Sequence, residues 1–177
     1  MDLTENKKEK IISAVKPAAF ILFLSVIQNV DGWFPAVSGS KPLFLIPAVV
    51  TVAMFRGAYS GVLFGAYAGL LWDCFTTGNN FTAAYLAVAG FAAGELIRLI
   101  MRNNIATGTI LSSLAALVYT VFRWFFKFFL TGTQGAFLMF FKHNLITFIY
   151  TVVFIPLIFI LMKKVLSNGK EGAYIAQ

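Results

Sequence analysis

The sequence predicts an all-α integral membrane protein, a bundle of about six transmembrane helices. Three observations predict it. The 177 residues are 59% hydrophobic, with a mean hydropathy of +0.82. Charged residues make up 12%, about half the roughly 25% of an average soluble domain. The apolar residues fall into runs close to the ~20 residues that a helix needs to cross a bilayer. A soluble domain of this length has too little interior to hide so much apolar surface, whereas a bilayer serves as the apolar solvent.

Six segments carry this pattern: residues 14–34, 42–55, 57–75, 81–101, 105–129 and 145–166. The second is shorter than a normal span. The step Arg56-Gly57 reads either as a tight turn or as a point inside one longer helix. The distribution of positive charge decides between the two, because cytoplasmic loops collect Lys and Arg. With six spans, the inner side holds ten basic residues: Lys7, Lys8, Lys10, Lys16, Arg56, Arg98, Arg102, Lys163, Lys164 and Lys170. The outer side holds four: Lys41, Arg123, Lys127 and Lys142. Five spans reduce the bias to seven against six and strand Arg56 in lipid. The expectation is therefore one transmembrane domain over residues 1–177 with both termini cytoplasmic, residues 1–13 and 167–177 forming the tails. The polar start followed by an apolar run also has the order of a signal peptide, but the continued apolar character favours an uncleaved first span.

The connections are short and contain helix breakers. They are Asp31-Gly32 to Lys41-Pro42, Thr76 to Asn80 with Gly78, Arg102-Asn103-Asn104, and Thr131-Gly132-Thr133-Gln134-Gly135. The net charge of +7 sits in tails and at span ends rather than in a basic stripe with polar readers. Orientation in the membrane explains it, and no nucleic-acid partner is expected. The one cysteine, Cys74, permits no internal disulfide.

Chemistry has few candidate residues. His143 is the only histidine and stands with Lys142 and Asn144 at a span end. A metal site needs more ligands than cluster here, and no base accompanies a serine or threonine nucleophile. No metal, cofactor or catalytic residue is expected, and the chain reads as non-enzymatic. Ionisable residues inside the membrane each require a reason. Glu95 and Arg98 stand three apart on one helix face and can pair near the inner interface. Asp73 ends the third segment beside Trp72, where a helix cap with an aromatic anchor competes with an ion ligand.

Two patterns stand out. Gly57, Gly61, Gly65 and Gly69 recur every four residues on the third segment, with Gly90 and Gly94 as a shorter copy on the fourth, preceded by Ala83 and Ala87. In lipid, small residues at this spacing let two helix backbones approach, within the chain or against a partner. Eight of the twenty phenylalanines fall between Phe122 and Phe141 with Arg123, Trp124 and Lys127 among them. Trp124, Phe125, Phe128 and Phe129 are the candidate outer aromatic surface, read as an interfacial anchor or as a docking surface for a partner.

The order Pro42, apolar run, Arg56-Gly57, Gly61, Gly65, Gly69-Leu70-Leu71-Trp72-Asp73, Thr76-Thr77-Gly78 and a further span resembles the rod shape-determining protein MreD family, most closely over residues 42–102. At Asn80-Phe81-Thr82-Ala83-Ala84 the chain lacks the glycine that family members commonly place there. The resemblance implies a non-enzymatic scaffold of the bacterial cell-elongation machinery in the cytoplasmic membrane. Its partners would be an MreC-type single-span protein, a RodA-type glycosyltransferase with a class B penicillin-binding protein, and MreB filaments inside. It also implies a fold similar to the substrate-binding subunits of energy-coupling-factor transporters. That likeness supplies the alternative function, a vitamin-binding transporter subunit. For that reading Ala14 and Ala18 stand four apart, and the outer polar candidates are Gln28, Asn29, Asp31, Asp73, Asn79 and Asn80.

Overall fold

The computed structural model describes residues 3–30, 41–76, 81–99, 104–126, 140 and 144–167, with side chains from residue 12 onward. Among these residues it is built of six helices: α1 (Leu3–Asn29), α2 (Leu45–Arg56), α3 (Ala58–Phe75), α4 (Thr82–Leu99), α5 (Ile105–Trp124) and α6 (Leu145–Ser167). Four stretches are long and apolar enough to cross a membrane: Ile12–Asn29 of α1, Thr82–Leu99, Ile105–Trp124 and Leu145–Ser167. They mark the chain as a membrane protein. In each, only 28 to 33% of the residues are buried, so most of each helix surface faces outward, as lipid-exposed helices require.

The short second segment becomes the centre of the bundle. α2 has 12 residues, of which Leu45 through Met54 are all buried. It is apolar on every face, and such a helix finds a stable place only with neighbours all round. α1, α3, α4, α5 and α6 all pack against it. At 1.5 Å per residue it measures only about 18 Å, against a hydrocarbon core of ~30 Å. Residues 41–44 add at most about 13 Å of non-helical chain. Irregular backbone at membrane depth is tolerated only where protein encloses it, and Pro42, Leu43 and Phe44 are buried.

Two backbone donors of this entry segment are satisfied by side chains from other helices. The Leu43 N–H donates to Thr151 Oγ1 of α6 at 3.0 Å. The Leu45 N–H donates to Gln28 Oε1 of α1 at 3.2 Å. Pro47 has no N–H to satisfy, which removes one of the donors that the start of α2 leaves orphaned, and Pro42 brings no donor to the entry segment.

At its other end α2 stops at Arg56, and a single residue turns the chain into α3. Gly57 has φ 86° and ψ 174°. Its N–H donates to Ala53 O at 2.8 Å, and its carbonyl accepts from the Gly61 N–H at 3.0 Å. The step Arg56-Gly57 is thus a tight corner between two helices. A Cβ at Gly57 would meet nothing within 4 Å, so the requirement for glycine here is the backbone conformation alone. Gly57→Ala is expected to destabilise the folded protein by about 1–3 kcal/mol through strain. Reversible unfolding in bicelles measures this, and an unchanged stability would mean that the corner relaxes without loss.

Candidate functional site

The four-residue glycine repeat and its shorter copy meet face to face. A Cβ at Gly61 would collide with the Gly90 carbonyl and with the Cβ of Ala53. One at Gly65 would collide with the Leu86 carbonyl and Ala87 Cα, and one at Gly69 with Ala83. From the α4 side, Gly90 abuts the Gly61 backbone and Gly94 abuts Ala58. The pairs Gly69 with Ala83, Gly65 with Ala87, Gly61 with Gly90 and Ala58 with Gly94 run in antiparallel register along the two helices. Gly57 is the corner residue: its own Cβ position is open, although its backbone carbon also borders Gly94. The seam is therefore internal to the chain, and its backbone-to-backbone approach allows dispersion and Cα–H···O contacts that bulkier residues would prevent. Enlarging Gly65 to alanine forces the two backbones apart and is expected to cost about 1–3 kcal/mol, with leucine costing more. Leu70→Ala, on the exposed face of α3, serves as the control with little change. Equal losses at Gly65 and Leu70 in bicelle unfolding would show that the seam is not close-packed.

Asp73 sits at the end of this seam. Its Oδ2 accepts from the Ala83 N–H at 3.2 Å, in the first turn of α4, where backbone donors lack helical partners and the helix dipole favours a negative charge. The carboxylate thus ties the end of α3 to the start of α4 across residues 77–80. Its Oδ1 is buried without a hydrogen-bond partner. Trp72 is not an outward anchor: it is 4% exposed and packs on Tyr119 of α5, ring centroids 5.2 Å apart. The reason is helical phase, since Trp72 follows Ala68, Gly65 and Gly61 on the inward face of α3. Tyr119 also meets Tyr85 of α4 at 5.2 Å, and the Tyr85 hydroxyl donates to the Ala115 carbonyl of α5. Asp73→Ala is expected to lower stability by about 1 kcal/mol, the range for losing a capping acceptor, while Asp73→Asn retains the acceptor and most of that stability. Amide hydrogen exchange at Ala83 reports it directly. Protection unchanged by Asp73→Ala would contradict the capping role.

Glu95 and Arg98 form the expected pair on α4, Oε2 to Nε 3.5 Å, with the Arg98 side chain 74% exposed and Glu95 27%. The pair lies in the last turns of α4. Cys74 is exposed on the outward face of α3. At the far end of α5, Phe122 and Phe126 are exposed with rings 4.5 Å apart. Phe125 meets Phe126 edge-on at 5.7 Å, and Trp124 meets Phe140 edge-on at 5.2 Å. Phe128, Phe129, His143, Asp31, Asn79 and Asn80 lie outside the described residues. Of the other outer polar candidates, Gln28 is engaged with α2. Asn29 Nδ2 donates to Ser25 O at 2.8 Å, and the Asn29 carbonyl accepts from Lys41 Nζ at 3.4 Å. Among the described residues no three His, Cys, Asp or Glu side chains stand close enough to hold a metal ion.

One contact has a signal in the sequence that the pattern reading passes over. Arg56 Nη2 donates to the Ser13 carbonyl of α1 at 2.6 Å, and its guanidinium lies 5.9 Å from the Phe64 ring centroid. Ser13 stands four residues before Pro17, which lies inside α1. Proline has no N–H to return to that carbonyl, so Arg56 supplies the missing donor. Arg56→Gln is expected to cost about 1–3 kcal/mol in the native chain. In a Pro17→Ala background, where an alanine N–H takes the Ser13 carbonyl, the cost should shrink by about half or more. A double-mutant cycle measures the coupling, and additivity would contradict the assignment.

Compared with family models, with curated proteins and with solved structures, the chain finds no match in any of the three.

Proposed function

We propose that the chain is a non-enzymatic membrane scaffold of the bacterial cell-elongation machinery, as its resemblance to the MreD family implies. It would act in the cytoplasmic membrane through helix contacts with an MreC-type single-span protein, a RodA-type glycosyltransferase and a class B penicillin-binding protein, with MreB on the inner side. The observation that carries the reading is the use of the polar groups at membrane depth. Asp73 caps α4, Gln28 and Thr151 cap the entry to α2, and Arg56 repairs the break at Pro17. Each closes a gap in the backbone of the bundle, which is what a rigid body with outward apolar faces needs. Because α3 and α4 meet along the glycine seam, partner contact falls on the outward faces. The aromatic end of α5, with Phe122, Phe125 and Phe126 exposed, is the first of these on the outer side.

Cytoplasmic termini also belong to this proposal, and the bundle supports them by gathering its bases at one end. The Ser13 to Arg56 bond, the Gly94 to Ala58 contact and the Phe55 to Phe159 ring contact at 6.0 Å put Lys16, Arg56, Arg98, Lys163 and Lys164 at the same end. Lys41 and Arg123 lie at the other. By the positive-inside rule, the end with five bases is cytoplasmic.

The test is purification from native membranes in mild detergent, followed by mass spectrometry of what accompanies the protein. Recovery of an MreC-type protein or a cell-wall synthase is the expected outcome. Recovery of a transporter coupling subunit with its ATPases, or of a stoichiometric vitamin, would replace this reading with the energy-coupling-factor one.

A further inference from the structure

The basic end of the bundle is a charged patch that the scaffold reading uses only to orient the chain in the membrane. Among residues with described side chains it carries five bases, Lys16, Arg56, Arg98, Lys163 and Lys164, and one carboxylate, Glu95. That carboxylate is engaged by Arg98 on α4, away from the two lysines of α6. Lys163 and Lys164 are both exposed and stand next to each other one turn before the end of α6 at Ser167. From Leu145 to Lys163 the helix rises about 27 Å, close to the ~30 Å hydrocarbon thickness, so both ammonium groups emerge at headgroup depth.

α1 packs against α6. Ile21 and Leu24 share a buried cluster with Ile158, Met162 and Leu166, and Lys16, about one and a half turns before Ile21, is exposed toward the basic end. Outward from this seam the two helices present Ile12, Val15, Leu22, Ile160 and Leu161, all exposed and apolar.

We propose that this end binds an anionic phospholipid. Its phosphate sits at Lys163 and Lys164, within the field of Lys16 and Arg56, and its acyl chains lie along the apolar outward faces of α6 and α1. The charge pattern selects the occupant. A cluster of bases at a helix seam in the interfacial layer attracts anionic headgroups, and a zwitterionic lipid brings its own compensating cation. The long stems of the lysines lie on apolar surface while their heads reach the headgroup layer. The proposal does not depend on the cell-elongation reading, because it concerns only the protein and its lipid.

The experiment uses the full chain in bicelles of phosphatidylcholine, with and without phosphatidylglycerol, and native mass spectrometry after transfer to detergent. Phosphatidylglycerol should raise the unfolding temperature of the native protein and remain bound to it. The pair Lys163→Gln with Lys164→Gln should lose that rise and retain on the order of tenfold less of the lipid, given the contribution of each basic residue near an anionic surface. The pair Lys163→Arg with Lys164→Arg, and Arg123→Gln at the opposite end, should keep both. Because the two lysines are exposed, the glutamine pair should unfold in pure phosphatidylcholine at the native temperature, which separates lost binding from lost folding. Equal retention of phosphatidylcholine, or phosphatidylglycerol retained by the glutamine pair, overturns the proposal. Displacement of the lipid by soluble glycerol phosphate also overturns it, since that would mark a free-phosphate site.

Discussion

A bilayer offers no partner to an unpaired backbone N–H or C=O, and the whole arrangement of this chain follows from how it meets that constraint around α2. The helix is too short to cross alone, and the chain enters it through non-helical residues. Both features are tolerable only under complete enclosure. Five helices supply the walls, and two of them also supply the side chains that close the open hydrogen bonds, Gln28 from α1 and Thr151 from α6. The apolar character of α2 on every face is the sequence counterpart of this enclosure.

The same constraint explains Arg56 and Asp73. Pro17 leaves a carbonyl open in α1, and Arg56 closes it from the corner between α2 and α3. Asp73 closes an open donor at the start of α4. In each case a side chain from one helix completes the backbone of another, so these bonds also fix how the helices sit against one another. The α3–α4 seam adds contact without polar groups, through glycines and alanines that let the backbones touch. The result is a bundle tied together internally, with apolar outward faces free for lipid or for partner helices.

Much of this was legible in the sequence. The apolar runs at 81–101 and 105–129 contain α4 and α5, the run at 145–166 covers all but the last residue of α6, and the four-residue glycine spacing marked the face on which α3 meets α4. The corner at Arg56-Gly57 was visible as one of two readings. Three features were harder to see. The short apolar run before Arg56 looks like a weak span, because sequence hydropathy does not separate burial in protein from burial in lipid. Trp72 looks like an interfacial anchor beside Asp73, and only its phase with Gly61, Gly65 and Ala68 places it inside. The link from Arg56 to Ser13 spans 43 residues, and its one local sign is that Pro17 stands four residues after Ser13. The functional reading starts from the resemblance in residues 42–102, to which the fold adds a structural role for Gln28, Arg56, Asp73 and Thr151.

The enclosure of α2 is the claim on which the rest depends, and magnetisation transfer from lipid acyl protons to valine methyls tests it in an unmodified protein. In valine-labelled protein in bilayers, Val88, Val118 and Val153, which are 67%, 46% and 65% exposed, should receive lipid magnetisation early. Val49, Val50 and Val52 of α2, at 0%, 1% and 0%, should receive it only late, by relay through the surrounding helices. Early transfer to the α2 valines would place that helix against lipid and contradict the architecture described.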